Sequence, residues 1–189
     1  MAAEASIVKQ YEDADFSKRV DIMLDNYASF ATQIEICFEG IKYRIKEDRA
    51  FTRRQEKGDL GVRVQASGTS NPTEREALEN IEIEEALKKK DFSGSIFKNV
   101  DDVEAIKREI YIMEIMRLDY QMLILQIKLL KKKDQKLLQD YLVNGMALEE
   151  IADAENVAYE TIRTRIKRAK SRVKCSMVSF LDQNGRRDF

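Results

Sequence analysis

A chain of 189 residues, 43% hydrophobic and 35% charged with a single proline, has room for one domain or two small ones, and the low Gly and Pro content favours long exposed helices. Lys+Arg number 33 against 34 Asp+Glu, and there is no histidine, which removes imidazole general bases, His-assisted Ser or Cys nucleophiles and every zinc site that needs a His. Cys37 and Cys175 are too few and too far apart for a disulfide scaffold or a four-thiolate metal site, so both are expected as reduced thiols.

The N-terminus carries Glu4, Glu12 and Asp13 without an apolar segment between them, which is no signal peptide. The most apolar window, Ile110 to Leu130, is broken by Glu114, Arg117, Asp119 and Lys128, so no membrane span is expected and the chain is expected to be soluble and cytoplasmic. From residue 17 to 57, apolar side chains at Val20, Met23, Leu24, Tyr27, Phe30, Ala31, Ile34, Phe38, Ile41 and Ile45 recur in steps that predict an amphipathic helix, or two in series if Gly40 bends it. The stretch 58–71 is the clearest loop, with room for a short extended piece at Leu60, Val62 and Val64. Asn71, Pro72 and Glu74 then have the order of an N-cap, a first helical position and a capping-box carboxylate. The helix they open is acidic at its start (Glu74, Glu76, Glu79, Glu82, Glu84, Glu85) and ends in Lys88, Lys89 and Lys90. That order complements the helix dipole, and a solvated face is the first reading, an acidic docking surface the second.

A polar connector over 91–100 leads to a long helix expected to begin at Asp101, with Glu104 completing a capping box. Val103, Ile106, Ile110, Met113, Tyr120, Ile124 and Ile127 approach a heptad repeat, interrupted by Arg117. Such a helix packs on the 17–57 helix as core, or serves as a homodimer seam through 101–130, and the two uses are compatible. A short amphipathic helix over Gln135–Val143, with Leu137, Leu138, Tyr141 and Leu142 inward, is stopped by Asn144 and Gly145.

From Leu148 to Val173 the pattern is that of two helices joined by a tight turn. Leu148, Ile151 and Ala152 share one face of the first, and Ala152 is small where two helices must cross closely. Asn156 falls where the backbone turns left-handed, a position that Gly and then Asn tolerate best, and Val157 is the apolar plug. Ile162, Ile166, Ala169 and Val173 line the inner face of the second helix, the arrangement of a helix-turn-helix. Between Thr161 and Lys174 there are seven bases and no acid. On such a helix Tyr159, Glu160, Thr161, Arg163 and Thr164 are placed to contact base edges, Glu160 accepting from cytosine and Arg163 donating to guanine. Arg165, Lys167, Arg168, Lys170 and Arg172 are placed to meet phosphate. Neutralising about five phosphates predicts a log–log salt slope of roughly −4 to −5.

Asp134, Leu137–Leu138, Tyr141, Gly145, Glu150-Ile151-Ala152, Val157, Thr161-Ile162, Ile166, Arg168-Ala169 and Val173 together resemble region 4 of the sigma-70-type sigma factors of RNA polymerase. The resemblance covers residues 130 to 175 and implies a module that sits on a promoter element while touching polymerase; Asn156 replaces the usual Gly. No aromatic-rich segment like that of sigma region 2 accompanies it. Residues 61–68 followed by Asn71-Pro72-Thr73-Glu74 are similar to sigma-factor-like or late transcriptional regulators of Firmicutes phages and prophages, of the ArpU/RinA type.

The expected architecture is therefore all-α: a helical region 1–130 for oligomerisation or polymerase contact, a helix-turn-helix DNA-binding domain 131–180, and a flexible tail 181–189 that includes Arg186 and Arg187. The expected function is sequence-specific binding of double-stranded DNA in transcription regulation, with RNA polymerase as partner and no cofactor or metal. One recognition helix reads too few base pairs for genomic specificity, which calls for a second half-site or a polymerase-bound partner. The competing reading is an oligomeric phage DNA-packaging protein of the small-terminase kind, although those usually carry the DNA module first. An enzyme such as a recombinase is not expected, because Tyr11, Tyr43, Tyr111 and Tyr159 lack supporting bases.

Overall fold

The structure is a computed structural model that describes residues 6–56 and 72–184. Among these residues every regular element is helical, so the chain is all-α as its periodicity implied. Eight α-helices follow in order: α1 (Ile7–Glu12), α2 (Phe16–Asp25), α3 (Phe30–Glu56), α4 (Pro72–Lys89), α5 (Val103–Lys128), α6 (Lys132–Leu142), α7 (Leu148–Glu155) and α8 (Tyr159–Asn184). They form two compact units, one of residues 1–34 with 112–189 and the other of residues 35–111, so the unit boundaries fall within α3 and α5. No helix among the described residues is long and apolar enough to cross a membrane.

The helix expected over 17–57 is two helices, but the break lies at Asn26–Ser29 and not at Gly40. The backbone N–H and side-chain Nδ2 of Asn26 both donate to the Ile22 carbonyl, at 3.1 and 2.9 Å, and so close α2. Ser29 then starts α3, its carbonyl accepting from Gln33 N–H at 2.8 Å. A β-carbon at Gly40 would meet nothing, and α3 runs through it. Sequence periodicity also missed α1, which is too short for a repeat to show. Its ends are set locally, with Ser6 Oγ accepting from Lys9 N–H at 3.4 Å and Asp15 Oδ1 capping α2 through Lys18 N–H at 2.7 Å.

In the unit of residues 35–111, Ile41, Ile45, Ile83, Leu87, Phe97, Ile106 and Ile110 are buried. Lys42 pairs with Glu84 at 3.3 Å and Arg53 with Glu79 at 3.3 Å, which makes α3 and α4 antiparallel, while Arg49 adds a 2.9 Å pair to Glu79. Two of the six acids of 74–85 are thus spent on α3, and Glu84 and Glu85 also pair along α4 with Lys88 and Lys89. The loop 58–71 and the expected cap Asn71 lie outside the described residues. The connector contains a 3₁₀ turn, Ser95–Phe97, whose buried Phe97 stacks on Phe92. Helix α5 starts at Val103, later than expected, because Asp102 Oδ1 caps Ala105 N–H at 3.2 Å while Asp101 N–H donates to Asp48. Glu104 pairs with Lys107 and closes no capping box with Asp101.

The other unit is organised by one buried polar group. Tyr11 donates its hydroxyl to Asp119 Oδ2 at 2.6 Å, linking α1 to the middle of α5. Arg19, only 5% exposed, donates Nε to the Tyr11 and Ala14 carbonyls at 3.1 Å each, and its guanidinium lies 5.1 Å from the Tyr11 ring. It supplies the donors that the last carbonyls of α1 lack. Phe30 packs on both Tyr11 and Tyr120, and the Tyr120 hydroxyl donates to the Tyr27 carbonyl at 2.6 Å. The approximate heptad row of α5 is used inward, with Ile106, Ile110 and Met113 buried, while Leu118, Leu125 and Leu129 are exposed.

Burial pushes the Asp119 carboxyl above the ordinary carboxylate range, while the Tyr11 hydrogen bond and the Arg19 charge pull it back. Its folded-state value is raised, so its contribution to stability is full at acid pH and is lost as pH rises through that raised value. Asp119→Asn removes this dependence: as pH falls from neutral, wild type gains stability relative to the variant in paired urea denaturations. Tyr11→Phe leaves the carboxylate without its donor and is expected to cost about 2 kcal/mol at neutral pH in the same assay.

Candidate nucleic-acid interface

Helices α6, α7 and α8 pack on one another through Leu137, Leu138, Ile151, Ala152, Ile162, Ile166, Ala169 and Val173, all buried. Helix α6 begins at Lys132, earlier than expected, and the chain turns at Gly145 with φ +64°. Glu150 Oε2 accepts from Ala147 N–H at 2.9 Å and so caps the start of α7. At its end Asn156 is left-handed, with φ 52° and ψ 49°, the conformation expected from its residue type. Val157 N–H donates back to the Ala152 carbonyl at 3.0 Å, the closure that such a turn provides. Buried Ala152 lets α7 cross close to α8.

Helix α8 continues further than the sequence expectation. Met177 and Leu181 extend its buried row, and residues 181–184 are helical with Leu181 packed and the other three exposed, while 185–189, with Arg186 and Arg187, lie outside the described residues. The row Ile162, Ile166, Ala169, Val173, Met177 and Leu181 turns Glu160, Thr164, Lys167, Arg168 and Ser171 outward. The five expected base-contacting residues are brought together on the first turns: Tyr159, Glu160, Thr161, Arg163 and Thr164 are all exposed. Arg163 is held by Glu160 at 3.3 Å, one turn away.

The expected phosphate contacts divide. Lys167 and Arg168 are exposed on the outer face. Arg165 lies 3.7 Å from Glu155 of α7, and Arg172 lies 3.2 Å from Asp134 of α6. Lys170 is only half-exposed: its ammonium sits 5.1 Å from the Tyr141 ring centre and 3.8 Å from Asp25 of α2. Lys174 is chelated by both carboxylate oxygens of Asp21, at 2.6 and 2.7 Å. Acids thus meet bases at both ends of the run, Arg163 and Arg165 as well as Lys170, Arg172 and Lys174, and Lys167 and Arg168 lie exposed between them. Sequence reading missed the role of α2, which packs along α8, because Asp21 and Asp25 are remote in the chain and look like ordinary solvated charges.

The face can offer hydrogen bonds and positive charge. No group of three or more His, Cys, Asp or Glu side chains that could hold a metal occurs among the described residues. Cys175 is exposed on α8, and Cys37 is half-buried, its thiol pushed up by burial and by the charge of Glu109.

The left-handed turn makes a separable prediction. Asn156→Gly is expected to leave stability within a few tenths of a kcal/mol, whereas Asn156→Ala costs about 1 kcal/mol, because glycine adopts positive φ freely while alanine keeps the β-carbon and loses the polar group through which asparagine tolerates it. Chemical denaturation of the two variants checks it.

Compared with known proteins, the chain matches no family model, no curated protein and no solved structure.

Proposed function

We propose that this protein is a sequence-specific, double-stranded-DNA-binding transcription regulator of the sigma-factor-like kind, acting with RNA polymerase and without catalytic activity of its own. The observation that carries this reading is the turn at Asn156, which joins α7 to a helix whose exposed first turns hold Glu160, Thr161, Arg163 and Thr164 opposite a buried apolar row. A helix presented in this way suits the major groove, where Glu160 and Arg163 discriminate between base pairs and the bases beyond them meet the backbone. Lys167 and Arg168 are the best-placed phosphate ligands, since Arg165 and Arg172 must first exchange a carboxylate for phosphate.

A full binding site needs more than one such helix. A homodimer through α5 could supply it by the exposed Leu118 and Leu125, since Ile106, Ile110 and Met113 of the approximate heptad row are buried inside the chain. Polymerase contact is the alternative source of the second half of the specificity, in the manner of the sigma factors that residues 130–175 resemble. Light scattering distinguishes both from a packaging protein, for which a ring of many subunits is expected.

Lys167→Ala with Arg168→Ala is expected to weaken binding evenly across DNA sequences and to make the salt slope shallower by roughly 0.9 for each residue. Glu160→Ala with Arg163→Ala is expected instead to erase about 1–3 kcal/mol of discrimination between selected and bulk DNA. Anisotropy titrations with a duplex selected from random sequence, competed by bulk DNA across a salt series, measure both. Equal affinity for all duplexes by wild type would refute a sequence-specific regulator.

A further inference from the structure

Arg163, Lys167, Lys170 and Lys174 recur in steps of three and four along α8 and so form one continuous basic rail beside its outward face. Its last two members face Asp25 and Asp21, themselves one turn apart on α2, at 3.8 and 2.6 Å. These acids are not free to swing away as a flexible segment could. Val20, Met23 and Leu24 of the same helix are buried, and Arg19 ties its start to α1, so withdrawing α2 would expose that apolar face. The Asp25 carboxylate meanwhile remains largely open to solvent beside the rail, where it repels an approaching phosphate as well as holding Lys170.

On the DNA-binding reading above, we propose that Asp21 and Asp25 are built-in counter-anions that end the DNA footprint on α8 near Arg168. They occupy Lys170 and Lys174 in place of phosphate and keep the duplex on the N-terminal turns, where the base-contacting residues lie. The pair thereby lowers sequence-independent affinity and leaves the groove contacts of Glu160 and Arg163 untouched, which sharpens discrimination. Lys170 is accordingly removed from the set of phosphate ligands in the native protein.

The test is a cycle of four full-length proteins: wild type, Asp21→Asn with Asp25→Asn, Lys170→Ala with Lys174→Ala, and all four changes together. Each pair joins an exposed aspartate to a half-exposed lysine and is screened by solvent, so the variants are expected to fold. Each is titrated into a short labelled duplex of random sequence over a range of salt. The Asn pair is expected to bind more tightly than wild type, with a slope steeper by about 1.8, an advantage that shrinks roughly tenfold between about 50 and 200 mM salt. The Ala pair is expected to lie within about twofold of wild type, yet to abolish most of the gain when added to the Asn pair.

If the Asn pair gains affinity but the Ala pair costs the same in both backgrounds, the aspartates act only through overall charge and the proposal is overturned. An unchanged slope in the Asn pair, with wild type binding normally, also overturns it and leaves the DNA reading standing. Absence of binding by all four proteins overturns both.

Discussion

The hydrogen bond from Tyr11 to Asp119 holds together parts of the chain that are 108 residues apart, and Arg19 of α2 joins the same network through the Tyr11 carbonyl. Burying a carboxylate is costly unless donors meet it, and here the Tyr11 hydroxyl donates to Asp119 while the charge of Arg19 favours its ionised form. The same guanidinium closes the end of α1 and stacks on the tyrosine ring, so one arginine serves the backbone and the network together. A polar group of this kind adds less stability than an apolar replacement of equal fit could, but it admits few alternative arrangements.

Helix α2 lies along α8 and brings two acids to its basic rail. The electrostatics of the candidate interface are thus decided far from it in sequence. A near-zero net charge conceals a helical segment with seven bases and no acid from Thr161 to Lys174, several of them paired with acids from α2, α6 and α7. Lys167 and Arg168 lie exposed on the outer face of α8 between these paired bases.

Much of the local architecture was legible beforehand. Ala152, Asn156 and Val157 announced a close helix crossing with a left-handed turn, because each residue type answers a steric demand made within a few residues of itself. The inner row from Ile162 to Val173 was legible for the same reason. Helix breaks were less so: Asn26 ends α2 through a side-chain bond that competes with continuation, whereas Gly40, the stronger breaker by composition, sits in an unbroken helix. The approximate heptad of α5 showed that an apolar face existed, but a periodic row does not say whether its partner is the same chain or another.

The amino-acid sequence by itself determined that the chain is helical, where α7 turns into α8, and that α8 is basic, since these follow from periodicity, backbone sterics and composition acting over a few residues. Only the tertiary structure decided which of those bases are available. The pairs that occupy Lys170, Arg172 and Lys174 join residues 38 to 153 positions apart, and an ion pair across that distance leaves no periodic mark on either partner. Charge is a property of a residue, but its availability is a property of what the fold sets beside it.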